Sequence, residues 1–248
     1  MKKLLFCALL LATTAGFASA AGLNLGWLDC AGLGAGAANR TFACNTNTGG
    51  GHILVGSFVA PAGLDNVNGF QTWVYLQTQF ATISPWWDIG DPPHCRAANA
   101  ASFSADFAAG PFSCIDYFAG QAAGGGFYVL PPFGGGENWA ELRVSFAIAS
   151  GFGPVAENDE VYLFKSTFNN TKTVGLGACT GCSDEVCLVF RRALVTNDPG
   201  LGGTDADIST PALRAHATWQ GWTSTNPGCP EATPVKNRTW GSIKALYR

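Results

Sequence analysis

Apolar residues recur at every second position through much of this chain. In Glu141-Leu142-Arg143-Val144-Ser145-Phe146-Ala147-Ile148, the residues Leu142, Val144, Phe146 and Ile148 share one face, and Glu141, Arg143 and Ser145 the other. This is the period-two signature of a half-buried antiparallel strand. The same reading predicts strands over residues 23–28, 53–59, 70–78, 161–167, 186–191 and 215–220, bounded by Gly, Pro, Asn or Asp. Thr72-Trp73-Val74-Tyr75-Leu76 is β-branched or aromatic at all but its last position, which predicts a strand covered on both faces. Phe127-Tyr128-Val129-Leu130 lies between Gly124-Gly125-Gly126 and Gly134-Gly135-Gly136. An interdomain linker would not carry such an apolar run, so a strand between glycine-rich turns is expected. Helical spacing is confined to the C-terminus, where Thr239 would cap a short helix carrying Trp240, Ile243 and Leu246 or Tyr247. The fold class expected is all-β, an antiparallel β-sandwich of jelly-roll or immunoglobulin-like topology with a short C-terminal helix.

The first 20 residues fall outside this pattern. Lys2 and Lys3, an apolar run from Leu4 to Ala12 and Ala18-Ser19-Ala20 form the three parts of a signal peptide cleaved after Ala20. The run is roughly half the length needed to cross a bilayer. The expected product is one domain over 21–248, secreted, periplasmic or at the cell surface, without membrane insertion. Removing Cys7 leaves Cys30, Cys44, Cys95, Cys114, Cys179, Cys182, Cys187 and Cys229, an even set that reads as four disulfides in an exported chain. Spacing favours the local pairs Cys30–Cys44 and Cys95–Cys114, each worth about 3 kcal/mol. Cys187 would then take Cys179 or Cys182, and the one left over Cys229. A zinc site at Cys179-x-x-Cys182 with Cys187 is the competing reading, weakened by three histidines scattered singly at His52, His94 and His216.

Composition narrows the function. Charged residues are 12% of the 248, hydrophobic residues 47%, and glycines number 32, far from the roughly 25% charged of an ordinary soluble domain. Without Lys2 and Lys3 there are 12 Lys+Arg against 17 Asp+Glu, a net charge of −5. That excludes a polybasic nucleic-acid or anionic-lipid binder. Gly32-Leu33-Gly34-Ala35-Gly36 lacks the strand and helix that make a dinucleotide fingerprint. No Gly-x-Ser-x-Gly elbow or His-Glu-x-x-His helix occurs. Asp88, Asp91, Asp106, Asp116, Glu137 and Glu141 lie near aromatics and are the raw material for a carboxylate pair. Turns and outward strand positions account for them, and no catalytic pair is assigned. No resident cofactor is expected, Gly202-Gly203-Thr204-Asp205-Ala206-Asp207 being the segment with oxygen ligands for calcium.

The aromatic residues are more telling. Trp86-Trp87 sits between Ser84-Pro85 and the proline-rich Asp88-Ile89-Gly90-Asp91-Pro92-Pro93, and Trp222 follows a strand end. Two adjacent indoles on a loop are expected to resist entering one core, leaving a flat surface for a sugar ring. Trp86, Trp87 and Trp222 are therefore the expected ligand platform, against the alternative that they cap the core.

The segments Leu23-Asn24-Leu25-x-Trp27-x-x-Cys30, Asn39-Arg40-Thr41-Phe42-Ala43-Cys44, Gly56-Ser57-Phe58-Val59-Ala60-Pro61, Cys179-x-x-Cys182 to Cys187-Leu188-Val189-Phe190, Trp219-Gln220-Gly221 and Ala232-Thr233-Pro234-Val235-Lys236-Asn237-Arg238-Thr239-Trp240 resemble a family of uncharacterised secreted bacterial proteins. The resemblance implies export and a disulfide-bearing β fold, and transfers no activity. The strand from Val67 to Thr78 is similar in pattern to cohesin and carbohydrate-binding sandwiches, an analogy of fold class alone. The expected function is non-catalytic binding of an extracellular polysaccharide. Alternatives are a structural protein that self-associates or meets another surface protein, and a secreted glycoside hydrolase.

Overall fold

The period-two segments form strands that pack as two sheets. The computed structural model describes residues 22–30, 36–49, 51–108, 114–130, 137–198, 200, 204–222 and 229. The strands among them are β1 (Leu23–Trp27), β2 (Asn39–Arg40), β3 (His52–Val59), β4 (Val67–Thr78), β5 (Ala101–Ser104), β6 (Ala123–Val129), β7 (Trp139–Ala147), β8 (Glu160–Phe168), β9 (Val186–Asn197), β10 (Ala206–Ile208) and β11 (Ala215–Trp219). One sheet runs β1-β3-β8-β5, and the other β2-β11-β9-β4-β7-β6 with β10 also on β9. Pairing between these strands is antiparallel except for β11 with β2. The sandwich is therefore as expected. No α-helix occurs among the described residues, and the signal segment 1–20 and the helix expected after Thr239 lie outside them.

Alternation explains the core. Phe70, Val74 and Leu76 of β4, Leu142, Val144 and Phe146 of β7, and Leu188 and Phe190 of β9 face the smaller sheet's Leu54, Phe58 and Leu163. The smaller sheet is covered on its outer side too, where Val55 and Tyr162 pack with Phe107 under the Cys30–Cys114 link. On the larger sheet, strand β4 alternates buried and half-buried residues over most of its length. The expectation of a doubly covered strand at 72–76 is thus corrected. Thr72, Val74 and Leu76 are buried, while Trp73 and Tyr75 stand half-exposed on the outer face.

Two further expectations change. Gly124, Gly125 and Gly126 are strand rather than turn. A Cβ on Gly124 would lie 2.2 Å from the Ser145 carbonyl oxygen, and one on Gly126 2.5 Å from the Phe103 ring, so glycine lets β6 close against β7 and β5. The cysteine pairing is also longer-range than spacing suggested: Cys30–Cys114, Cys44–Cys182, Cys95–Cys179 and Cys187–Cys229. Sequence neighbours such as Cys30 and Cys44 lie on different parts of the sandwich, and each finds a partner in a segment that packs against its own. With the eight cysteines among the described residues all oxidised, Cys179, Cys182 and Cys187 offer no thiolates to zinc. Four disulfides mark an oxidising, extracellular environment. Among the described residues no helix is long and apolar enough to cross a membrane.

Candidate functional site

Trp86 and Trp87, expected on the surface, are both fully buried. They sit in a 3-10 turn, Pro85–Trp87, in which successive side chains are about 120° apart rather than on opposite faces. Both can therefore point inward. The Trp86 ring stacks on Trp219 at 5.0 Å, and Trp87 meets Trp219 edge-on at 5.3 Å. The Arg96 guanidinium lies 3.9 Å from the Trp86 ring centre and donates to the Trp86 carbonyl at 2.9 Å and to the Asn169 carbonyl. Cys95–Cys179 ties the turn's own loop to the neighbouring one. These indoles extend the core at the end of the sandwich, and a ligand platform made of them is ruled out. Trp222 is half-buried on the outer side of the larger sheet, against Cys187, Val189 and Cys229.

A group of partly exposed aromatics lies elsewhere, on that same outer face. Alternation directs Trp73 and Tyr75 of β4, Trp139 and Arg143 of β7 and Phe127 of β6 outward. Register aligns Phe127 with Arg143, and Arg143 with Trp73. Tyr75 and Trp139 meet edge-on at 5.7 Å, and Phe127 is 52% exposed. Tyr75 pairs across to Val189, on which Trp222 rests. Trp73 and Tyr75 are thus ~7 Å apart along one strand, with further rings on the neighbouring strand and at the border.

A β-bulge supplies the polar part of the face. Trp73 pairs with Arg192 and Val74 with Phe190, so Arg191 has no cross-strand partner residue on β4. Inward residues of β9 are even-numbered up to Phe190 and odd-numbered from Ala193. The extra residue therefore puts both Arg191 and Arg192 on the outer face. On the other edge of β9, β11 pairs as far as Phe190 and β10 begins at Ala193. Opposite the bulge the chain leaves the sheet through a 3-10 turn, Pro211–Leu213, and returns at Arg214. Trp73, Tyr75, Arg191, Arg192, Ser209 and Arg214 line a cleft of about 220 Å³. The Arg191 guanidinium is 4.3 Å from the Tyr75 ring centre, and that of Arg192 4.7 Å from Trp73. Arg192 donates to Asp207 at 2.9 and 2.7 Å, and this bonding holds the Asp207 carboxyl below its usual range. Arg143 binds Glu141 at 2.6 Å. Burial nevertheless pushes the Glu141 carboxyl up, against the pull of Arg143.

The other candidate groups are engaged locally. Asp106 and Asp116 accept backbone N–H groups within their own turns. Asp88 accepts from Cys95 N and sits 2.8 Å from His94 Nδ1. Asp88, His94 and Glu137 line a second, more open cleft. In the calcium segment, Asp205 accepts from the Asn197 amide and Asp207 is held by Arg192. Among the described residues the one grouping with metal-ligand spacing is Asp29, Cys30 and Cys114, and its sulfurs form a disulfide.

Trp73, Tyr75, Trp139 and the arginine pair were not singled out from sequence. The signal was present in the outward half of the 70–78 alternation, where Gln71, Trp73, Tyr75 and Gln77 are polar or amphipathic. No family model, curated protein or solved structure matches the chain, so any functional reading rests on this geometry.

Proposed function

We propose that this chain is an exported, non-catalytic glycan-binding β-sandwich that holds its ligand on the outer face of the larger sheet. One observation carries the reading: Trp73, Tyr75 and Trp139 stand together, each partly exposed, on adjacent strands of the outer face, beside polar side chains. Aromatic rings offer flat apolar surface to the C–H faces of sugar rings, and the flanking Gln71, Gln77, Ser209 and arginines supply hydrogen bonds to hydroxyls. A sheet fixes these rings more rigidly than a loop would, which lowers the entropic cost of ordering a flexible polysaccharide. Export by the segment 1–20 belongs to the same reading and brings the chain to extracellular glycans. Trp222 remains a border residue of the platform, whereas Trp86 and Trp87 drop out.

The test is affinity electrophoresis of the chain 21–248 through gels containing a panel of neutral and acidic polysaccharides. At least one should retard the protein. Trp73→Ala and Tyr75→Ala should each weaken retardation about tenfold, since a stacking contact is worth about 1.5 kcal/mol. Leu176→Ala, at a fully exposed position, serves as control. No retardation by any polysaccharide, or retardation indifferent to both aromatic substitutions, refutes the proposal.

A further inference from the structure

The cleft beside the platform has a chemistry of its own. Three of the chain's eight arginines, Arg191, Arg192 and Arg214, line it, and none of its described lining residues is acidic. This concentration runs against a chain whose overall charge is negative. Two independent features of the backbone create it. The β9 bulge brings consecutive arginines to one face, and the β10–β11 connection leaves the sheet at the same point to bring in a third. Asp207 pairs with Arg192 at the rim. Arg191 and Arg192 are held against Tyr75 and Trp73, so guanidinium forks lie next to the rings on which sugar would stack.

Resting on the glycan reading above, we infer that the ligand of this face is an acidic glycan, whose sugar rings bear carboxylate or sulfate groups. A guanidinium presents a planar fork of donors that matches a carboxylate or sulfate two oxygens at a time. A neutral sugar uses only part of that capacity. The net charge of −5 over residues 21–248 repels polyanions in general, so a few ring-borne anions set beside stacking rings fit this face better than a continuous phosphate backbone does.

The experiment compares ligands that differ in charge alone: polygalacturonate against its methyl ester, and a sulfated galactan against agarose. Single-stranded DNA is the non-glycan polyanion. The expected result is retention of the parent protein by the carboxylated or sulfated member of a pair and not by its neutral counterpart, weakening as salt is raised. The pair that responds identifies the anion. Arg191→Gln and Arg214→Gln should each reduce that retention about tenfold, Arg191→Lys should restore part of it, and Trp73→Ala should reduce it as well. Equal retention by charged and neutral members, lost on Trp73→Ala, overturns the acidic preference and leaves the glycan platform standing. DNA retained as strongly as the acidic glycan, regardless of Trp73, overturns both. The comparison of charged and neutral ligands uses the unmodified protein, so it decides the matter even if an arginine variant folds poorly.

Discussion

Removing Cys95–Cys179 should cost this protein a large part of its stability, and the pattern of free thiols should reveal which cysteines are paired. The bridge spans 84 residues. The loss of unfolded-state entropy from a loop of that length is worth about 4.6 kcal/mol, against about 3.2 kcal/mol for the 19-residue loop of a Cys95–Cys114 pair. For a domain of this size, 4.6 kcal/mol corresponds to a fall in Tm of roughly 9–18 °C. Two double variants of the chain 21–248 separate the pairings. Cys95→Ser with Cys179→Ser deletes one bridge and leaves every other cysteine paired, so it should show no free thiol in denaturant. Cys95→Ser with Cys114→Ser breaks two bridges and strands Cys30 and Cys179. It should show two free thiols and unfold well below the first variant. The measurements are thiol titration in denaturant and a thermal or urea transition followed by near-UV circular dichroism, which reports the buried indoles. The opposite outcome, two thiols from the first variant and none from the second, would refute the long-range connectivity and the account of the end of the sandwich built on it.

Glycine substitutions in β6 test whether that segment is strand. Gly125→Val meets open space and should be neutral or stabilising by about 0.5–1 kcal/mol, because glycine is costly in a strand interior. Gly126→Val drives a Cβ into the Phe103 ring and should destabilise by about 1–3 kcal/mol. Equal urea midpoints for the two variants would count against the β5–β6 contact. Acid should weaken the fold through His52 and His216, whose imidazoles burial holds below the usual range, although the bond to Asn170 opposes this at His52. The unfolded chain takes up these protons near pH 6.5 and the folded chain only at lower pH, so the unfolded state binds more protons between the two values. Their contribution is whole above pH 6.5 and declines below it. Glu141, raised by burial, works the other way at lower pH, so the quantity to measure is the difference in urea midpoint between the parent and His52→Gln/His216→Gln. That difference should shift in the variant's favour from pH 7.5 to pH 5.5, and a constant difference would contradict the assignment.

Much of the fold was legible because alternation survives wherever a strand has one wet and one dry face. The strands at β3, β4, β7, β8 and β11 all appear in the pattern to within a few residues. Strand β9 was read only to residue 191, because the bulge at Arg191 inverts the parity and the remaining apolar residues fall out of phase. Strands β2, β5 and β10, of two to four residues, are too short to show a period. The triple glycine reads as a turn by composition, since its reason for being glycine is the Phe103 ring, which belongs to another strand. Connectivity of the disulfides was illegible for the same kind of reason. Spacing ranks partners by distance along the chain, whereas the fold ranks them by which loops share an end of the sandwich.

The site was harder to read than the fold because burial and exposure of aromatics depend on what covers a face, and covering segments come from elsewhere in the chain. Trp86-Trp87 looks exposed by its prolines and is buried because a 3-10 turn, an arginine and a disulfide fold it under. Trp73 and Tyr75 look covered by their neighbours and are half-buried, because among the described residues the segments that pack over a sheet lie on other surfaces. The loop held by Cys30–Cys114 roofs the smaller sheet, and the Cys187–Cys229 link fixes Trp222 over only one end of β9. Among the described residues, the stretch around the bulge is the partly exposed part of β9. There Arg191 and Arg192 interrupt an otherwise apolar strand, and β10 and β11 part instead of pairing. A strand selected for stability alone would continue its alternation through this point. The broken period, visible in the sequence as two consecutive arginines inside an apolar run, is the feature on which the proposed binding of an anion-bearing ligand most directly rests.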